Sequence, residues 1–350
     1  MIKVVLLIFI LSKFLFAGDL ANKKEFMKMC NNPTLSQKIT FEALAKDNRV
    51  KIDEQMCAYL YSSTGTKYFS ADADIYSVTD LSPLKFFLSL TSLSLPRSKV
   101  KDISILKYLT KLKELDLSDN PVSDLSPLKG LKHLKALNLY STQVTDLSAI
   151  NNIKTLKSLS YSHIEDNHTI DISQIKDLTN LEYLGLSRLK VKNFHLINNF
   201  INLKRFSPYR NITLQDMNSL TNLKKLERLS LSDNKFITNI DFVVNFSKLS
   251  SLSIDNTNVE NIDILKNVQT LKYLNIKNTK VRDASAITGR QDFTLSAYDA
   301  IFFNSPFTRF EEAPLRWCSP KNSKDVKEGK SCFEKDGKTL KPWWKRILGI

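Results

Sequence analysis

The chain has 350 residues, of which 42% are apolar and 25% charged, with only 8 Gly and 10 Pro. Collagen-like and low-complexity chains need far more Gly and Pro, and disordered chains carry less apolar side chain, so the length serves two compact domains or one elongated repeat domain with caps. A formal charge of +15, from 51 Lys plus Arg against 36 Asp plus Glu, raises nucleic acid or an anionic surface as partner until the charges are located.

Residues 1–17 open with Lys3, run through Val4-Val5-Leu6-Leu7-Ile8-Phe9-Ile10-Leu11 and end at Ala17-Gly18-Asp19. A basic start, a short apolar stretch and a small residue before a polar one describe an export signal, since a spanning helix needs about 20 apolar residues. The expected location is therefore outside the cytoplasm: periplasm, cell surface or secreted. Residues 18–66 are expected to form a mainly helical cap with Phe26, Met29, Ile39, Phe41, Leu44, Met56, Tyr59 and Leu60 as apolar positions. Four cysteines allow three pairings, and their separation into a front and a back pair favours Cys30–Cys57 and Cys318–Cys332. Neither pair has the short ligand spacing of structural zinc, so no metal is expected.

From residue 67 the chain repeats. Leucine-x-x-leucine-x-leucine stands at Leu90/Leu93/Leu95, Leu112/Leu115/Leu117, Leu134/Leu137/Leu139, Leu181/Leu184/Leu186 and Leu226/Leu229/Leu231. Variants fall at Leu156/Leu159/Tyr161, Leu203/Phe206/Pro208, Leu249/Leu252/Ile254 and Leu271/Leu274/Ile276. The steps between units are 22 or 23 residues, with a single step of 25. Tyr68/Ala71/Ala73 and Phe293/Ser296/Tyr298 extend the phase as degenerate end coils. A second half-motif keeps time with the first, as in Val78-Thr-Asp-Leu-Ser-Pro-Leu84 and Val122-Ser-Asp-Leu-Ser-Pro-Leu128.

Each leucine alternation predicts a short strand with its apolar side chains turned inward, and no single coil can bury them without neighbours. Asp or Ser caps the Asp-Leu-Ser-Pro-Leu turn of helix, whose first positions tolerate Pro. Asn120, Asn211 and Asn234 hold the ninth position of their units, where an amide can bond the turning backbone; Thr142, Thr257 and Thr279 stand there elsewhere. The expected fold is an α/β leucine-rich repeat solenoid: a curved parallel sheet of about 10–11 coils over residues 67–290, with short 3-10 helical backs. A mixed cap over 291–350, with the second Cys pair and a basic aromatic tail, closes it.

The leucine pattern, the 22-residue period and the Val-x-Asp-Leu-Ser-Pro-Leu half-motif resemble the internalin-like class of bacterial leucine-rich repeat proteins. The resemblance covers about residues 67–290 and implies a binding scaffold with a small helical cap in front. Several internalins bind receptors with the concave face. The two cysteines of the front cap and the absence of a cell-wall sorting motif depart from that pattern, so host-cell invasion does not carry over.

Outward strand positions supply the candidate partner site. They are rich in Ser, with Tyr140, Tyr183, Arg205, Tyr209, Arg228 and Tyr273 as the side chains of the types that dominate interface hot spots. The 25-residue step contains His163, Glu165, Asp166 and His168, which fit no metal-ligand spacing and are expected in a solvated loop. A phosphate-cradling glycine loop, a Gly-x-Ser-x-Gly elbow and a His-Glu-x-x-His are all missing, so neither catalysis nor a cofactor is expected.

The charge then falls into place. Many lysines sit in turns and backs (Lys107, Lys111, Lys129, Lys132, Lys154, Lys157, Lys224, Lys225, Lys248), and eleven basic residues face six acidic ones from Arg309 onward. The outward strand positions are near neutral. Nucleic acid is not expected; weak contact of the basic back and tail with an anionic envelope surface is the alternative to protein binding.

Overall fold

The structure is a computed structural model describing residues 22–71, 77–166, 168–211, 217, 220–288, 290 and 293–296. The candidate signal (1–17), Tyr298, the aromatic stretch of the rear cap, Cys318 and Cys332, and the basic tail lie outside the described residues. The chain divides into two compact units between Ile164 and Glu165.

The first unit begins with three helices: α1 over residues 22–31, α2 (Leu35–Asp47) and α3 (Met56–Ser62). Thr34 starts α2 through a capping box: its hydroxyl accepts the Gln37 N–H while the Gln37 side chain accepts the Thr34 N–H. Cys30 and Cys57 are disulfide-bonded, tying α1 to α3. Phe26 is fully buried, with its ring centroid 5.7 Å from Phe41, 5.2 Å from Phe86 and 5.3 Å from Tyr61. Thr40 donates to the Asp80 carbonyl at 2.7 Å and Gln37 to the Ser82 hydroxyl at 3.2 Å, so the cap closes the first coil with both apolar and polar contacts. Leu44 and Leu60 are buried as expected, whereas Tyr59 faces solvent.

Five parallel strands follow: β1 (Tyr68–Ser70), β2 (Ser92–Ser94), β3 (Glu114–Asp116), β4 (Ala136–Thr142) and β5 (Ser158–His163). Leu93, Leu115, Leu137 and Leu159 stand in direct register and are buried. The front end coil departs from the sequence phase. Phe69, not Ala71, pairs with Leu93, a shift of two from the repeat phase, so Phe69 and Ala71 fill the core while Tyr68 is 66% exposed. A coil that meets a helical cap on one side is released from the 22-residue spacing, and burial of the larger ring sets its register.

The backs are 3-10 turns at Ser82–Phe86, Ser104–Tyr108, Ser126–Leu128 and Ser148–Ile150. Each is started by the aspartate two residues earlier: Asp80, Asp102, Asp124 and Asp146 each accept the Ser N–H at 2.8 Å. This is the role foreseen for the Asp-Leu-Ser segment, and Pro83 and Pro127 occupy first-turn positions where no donor is needed.

The second unit contains β6 (His168–Asp171), β7 (Tyr183–Ser187), β8 (Leu189–Lys192), β9 (Arg205–Ser207), β10 (Arg228–Ser230), β11 (Ser251–Ser253), β12 (Tyr273–Asn275) and β13 (Thr294–Ser296). Strands β7, β9, β10, β11, β12 and β13 pair in parallel in that order, while β6 and β8 form a separate two-stranded ladder. That ladder corrects the solvated-loop expectation for the longer repeat step. Its second half, from His168, is a strand, and Ile170 is fully buried. His163 is also buried, leaving only Glu165 and Asp166 of the candidate quartet exposed. At the far end, Leu295 rather than Ser296 pairs with Leu274, a shift of one from the repeat phase. The main strand series thus numbers five in one unit and six in the other, among the described residues.

Asparagine links coil to coil. Asn120 donates to the Leu95 carbonyl of the preceding coil at 2.6 Å and accepts from Val100 N–H at 2.8 Å. Asn234 donates to the Pro208 carbonyl and accepts from Asn211 N–H, each at 2.7 Å. Asn211 in turn accepts from Leu189 N–H at 2.7 Å. The threonines at the same position bond only within their own coil: Thr142, Thr257 and Thr279 donate to the carbonyl three residues back.

Candidate functional site: the outward strand face

Parallel pairing without slippage turns the repeat into rows. In the second unit Tyr183 stands beside Arg205, Arg205 beside Arg228, Arg228 beside Ser251, Ser251 beside Tyr273 and Tyr273 beside Thr294. Inward neighbours Leu184, Phe206, Leu229, Leu252 and Leu274 are buried, so alternation holds the row on the outward face. The Arg205 guanidinium lies 5.0 Å from the centroid of the Tyr183 ring, a cation–π stack between adjacent strands. Arg205 and Arg228 are exposed, Tyr183 is half-buried and Tyr273 is 36% exposed.

One step along the strands the row is small: Gly185, Ser207, Ser230, Ser253, Asn275 and Ser296. Beyond it lies a polar cluster. Asp255 accepts from the Ser232 hydroxyl at 2.6 Å, the Ser253 hydroxyl at 2.5 Å and the Asn275 amide at 2.9 Å. The Tyr209 hydroxyl is hydrogen-bonded to Asp233, and partial burial together with that carboxylate raises its pKa above the ordinary tyrosine value. Arg188 pairs with Asp166 at 3.5 Å.

Four of the six candidate side chains therefore share one row: Tyr183, Arg205, Arg228 and Tyr273. Tyr209 belongs to the polar cluster instead. Tyr140 is half-buried in the first unit, near the end of β4, where its carbonyl accepts the Asp119 N–H at 2.8 Å. Asp233, Arg188 and Arg210 were absent from the sequence candidates. They lie one residue past the outward series, at the eighth position of each coil, and carrying that series one step further would have found them. The backbone there is left-handed in coil after coil: Arg97, Asp119, Ser141, Arg188, Arg210, Asp233, Asn256 and Asn278 all have φ between 51° and 60°. A left-handed residue turns the chain out of the strand, and Asn and Asp tolerate it better than Arg.

The family described as Leucine Rich repeats (2 copies) matches residues 88–130 and 110–152. No curated protein matches the sequence. Among solved structures the chain is similar to an internalin from Listeria monocytogenes, with 22% identity over 80% of this chain and 85% of that one, at a TM-score of 0.57. An internalin C2 from Listeria monocytogenes is 20% identical over 78% of this chain and 96% of that one, with a TM-score of 0.44. The leucine-rich repeat ectodomain of a plant membrane receptor kinase from Arabidopsis thaliana, solved in complex with Casparian strip integrity factor 2, is 18% identical over 63% of this chain and 28% of that one, at a TM-score of 0.50. Repeat period, coil geometry and the likeness to the first of these internalins agree on the fold: the chain is a leucine-rich repeat solenoid of internalin-like fold.

Proposed function

We propose that the chain is an exported, non-catalytic scaffold that binds a partner protein through its outward strand face, centred on Tyr183, Arg205, Arg228 and Tyr273. The observation that carries the reading is the Tyr183–Arg205 stack, in register with Arg228 on the adjacent strand. Rigid aromatic and guanidinium groups held on strands lose little entropy on binding, which is what a recognition surface needs. The plant receptor ectodomain of similar fold was solved with a bound factor, which supports the use of such a scaffold for protein recognition. Export rests on the character of residues 1–17 and on the Cys30–Cys57 disulfide. Among the described residues no helix is long and apolar enough to cross a membrane.

The alternative reading is contact of the basic back with anionic lipid or polysaccharide. It is supported by the exposure of Lys107, Lys129, Lys132, Lys154, Lys157, Lys224, Lys225 and Lys248. Binding to envelope and culture fractions separates the two. Under the scaffold reading a Tyr183→Ala, Arg205→Ala, Tyr209→Ala variant loses its captured protein, and capture by the wild type survives moderate salt. Retention that ignores those substitutions and disappears in salt sinks the scaffold reading.

A further inference from the structure

We propose that Arg205 and Arg228 form an acid-reading centre on this face: together they take an Asp or Glu carboxylate of the partner protein, with Tyr183 and Tyr273 gripping apolar surface on either side. The proposal rests on the strand-face reading above and names the chemistry of what binds there.

The two arginines are direct neighbours on adjacent parallel strands, about 4.8 Å apart along the sheet. Like charges in that relation repel, and a fold normally relieves them with a carboxylate. Here, among the described residues, no carboxylate lies within 4.0 Å of either guanidinium. The nearby acids are committed elsewhere. Glu182 holds Lys204 at 2.8 Å, and Glu227 adds to the negative field around that same lysine. Asp166 pairs with Arg188, and Asp255 is occupied by two hydroxyls and an amide. Among the described residues, Glu182 and Asp166 are thus ion-paired and Asp255 is hydrogen-bonded, while the two arginines stand adjacent without a carboxylate partner.

Two guanidinium forks side by side match one carboxylate, or two adjacent ones, through charge-assisted bonds. Sulfate or phosphate groups share that chemistry, but a polyanionic chain needs a continuing track of cations. The row instead runs into Ser251 and Tyr273, and Asp255 stands behind it. Paired arginines bounded by aromatic rings fit an acidic protein segment better.

The test is selection of random dodecapeptides displayed on phage, using the full-length protein as bait. Arg205→Glu/Arg228→Glu is run in parallel, and Arg228→Glu alone serves as a fold control because it places an opposite charge beside Arg205. Wild-type protein should enrich Asp and Glu. A peptide from that pool should lose at least ~10-fold in affinity for the double variant, which should itself enrich Lys and Arg. The Arg228→Glu thermal midpoint should equal or exceed that of wild type. Peptides selected without acidic enrichment, or acidic peptides held equally by the double variant, overturn this proposal while leaving the protein-binding face intact. Failure to select any peptide, together with heparin binding that the double variant loses, overturns both readings.

Discussion

The backbone N–H of Asn211 donates to the side-chain Oδ1 of Asn234 in the following coil, 2.7 Å away. Asn234 is 1% exposed, and its amide also donates to the carbonyls of Pro208, Leu231 and Ser232. One side chain thus closes its own turn and pins the coil before it.

Asn234→Ala leaves the Asn211 N–H and the Pro208 carbonyl buried without partners, so a loss of roughly 2–4 kcal/mol is expected. Asn234→Thr should fall between wild type and Ala, because Thr257 and Thr279 show that a hydroxyl there bonds only the carbonyl three residues back. The urea midpoint of the three proteins measures this order, and equal midpoints for Ala and wild type would refute the coil-linking role.

The Cys30–Cys57 bond closes a 27-residue separation. Restricting a loop of that length in the unfolded chain stabilises by about 3–4 kcal/mol. Cys30→Ser/Cys57→Ser should lower the thermal midpoint, and reductant should lower that of wild type but not of the variant. Because Phe26 and Thr40 bind the cap to the first coil, loss of cap order should also raise amide exchange in β1.

Arg210 has a φ of 52° with an exposed side chain. An L residue other than Asn, Asp or Gly loses about 1 kcal/mol in that region. Arg210→Asn should therefore raise stability by roughly 0.5–1 kcal/mol, in line with Asn256 and Asn278 at the same position of later coils. A lower thermal midpoint for the variant would show that the arginine makes an interaction worth more than the strain.

Acid should weaken the solenoid through its turn caps. The Ser126 N–H, and then its hydroxyl, hold the Asp124 carboxyl below its ordinary pKa of 3.8. The Asn193 amide, and then the Ser173 N–H, do the same for Asp171. A carboxylate whose pKa is lower folded than unfolded contributes all its stability above the unfolded value and loses it as pH falls through the folded one. Between pH 5 and pH 2 the thermal midpoint should fall, and Asp124→Asn/Asp171→Asn should flatten the slope. An unchanged slope would exclude these caps as the source.

Much of this was legible in one dimension. The leucine spacing named the buried rows, the Asp-x-Ser spacing named the caps of the backs, and the ninth-position amides were placed correctly because a repeat multiplies each local signal. The ends were not legible to the residue: Phe69 took the core position expected for Ala71, two residues away, and Leu295 that expected for Ser296, one residue away. The strand β6 was missed because a four-residue segment inside an insertion has no second copy to set its phase.

The candidate site divides the same way. By itself the sequence determined that Tyr and Arg face outward on successive strands, since period-two alternation and a constant repeat length leave no other face for them. Only the tertiary structure decided which of them stand together. Interstrand register set the Arg205 guanidinium on the Tyr183 ring, and the left-handed eighth residue carried Asp233 to Tyr209. The pairing of Glu182 with Lys204 and of Asp166 with Arg188, which among the described residues leaves Arg205 and Arg228 side by side without a carboxylate partner, depends on distances between coils that spacing along the chain does not encode.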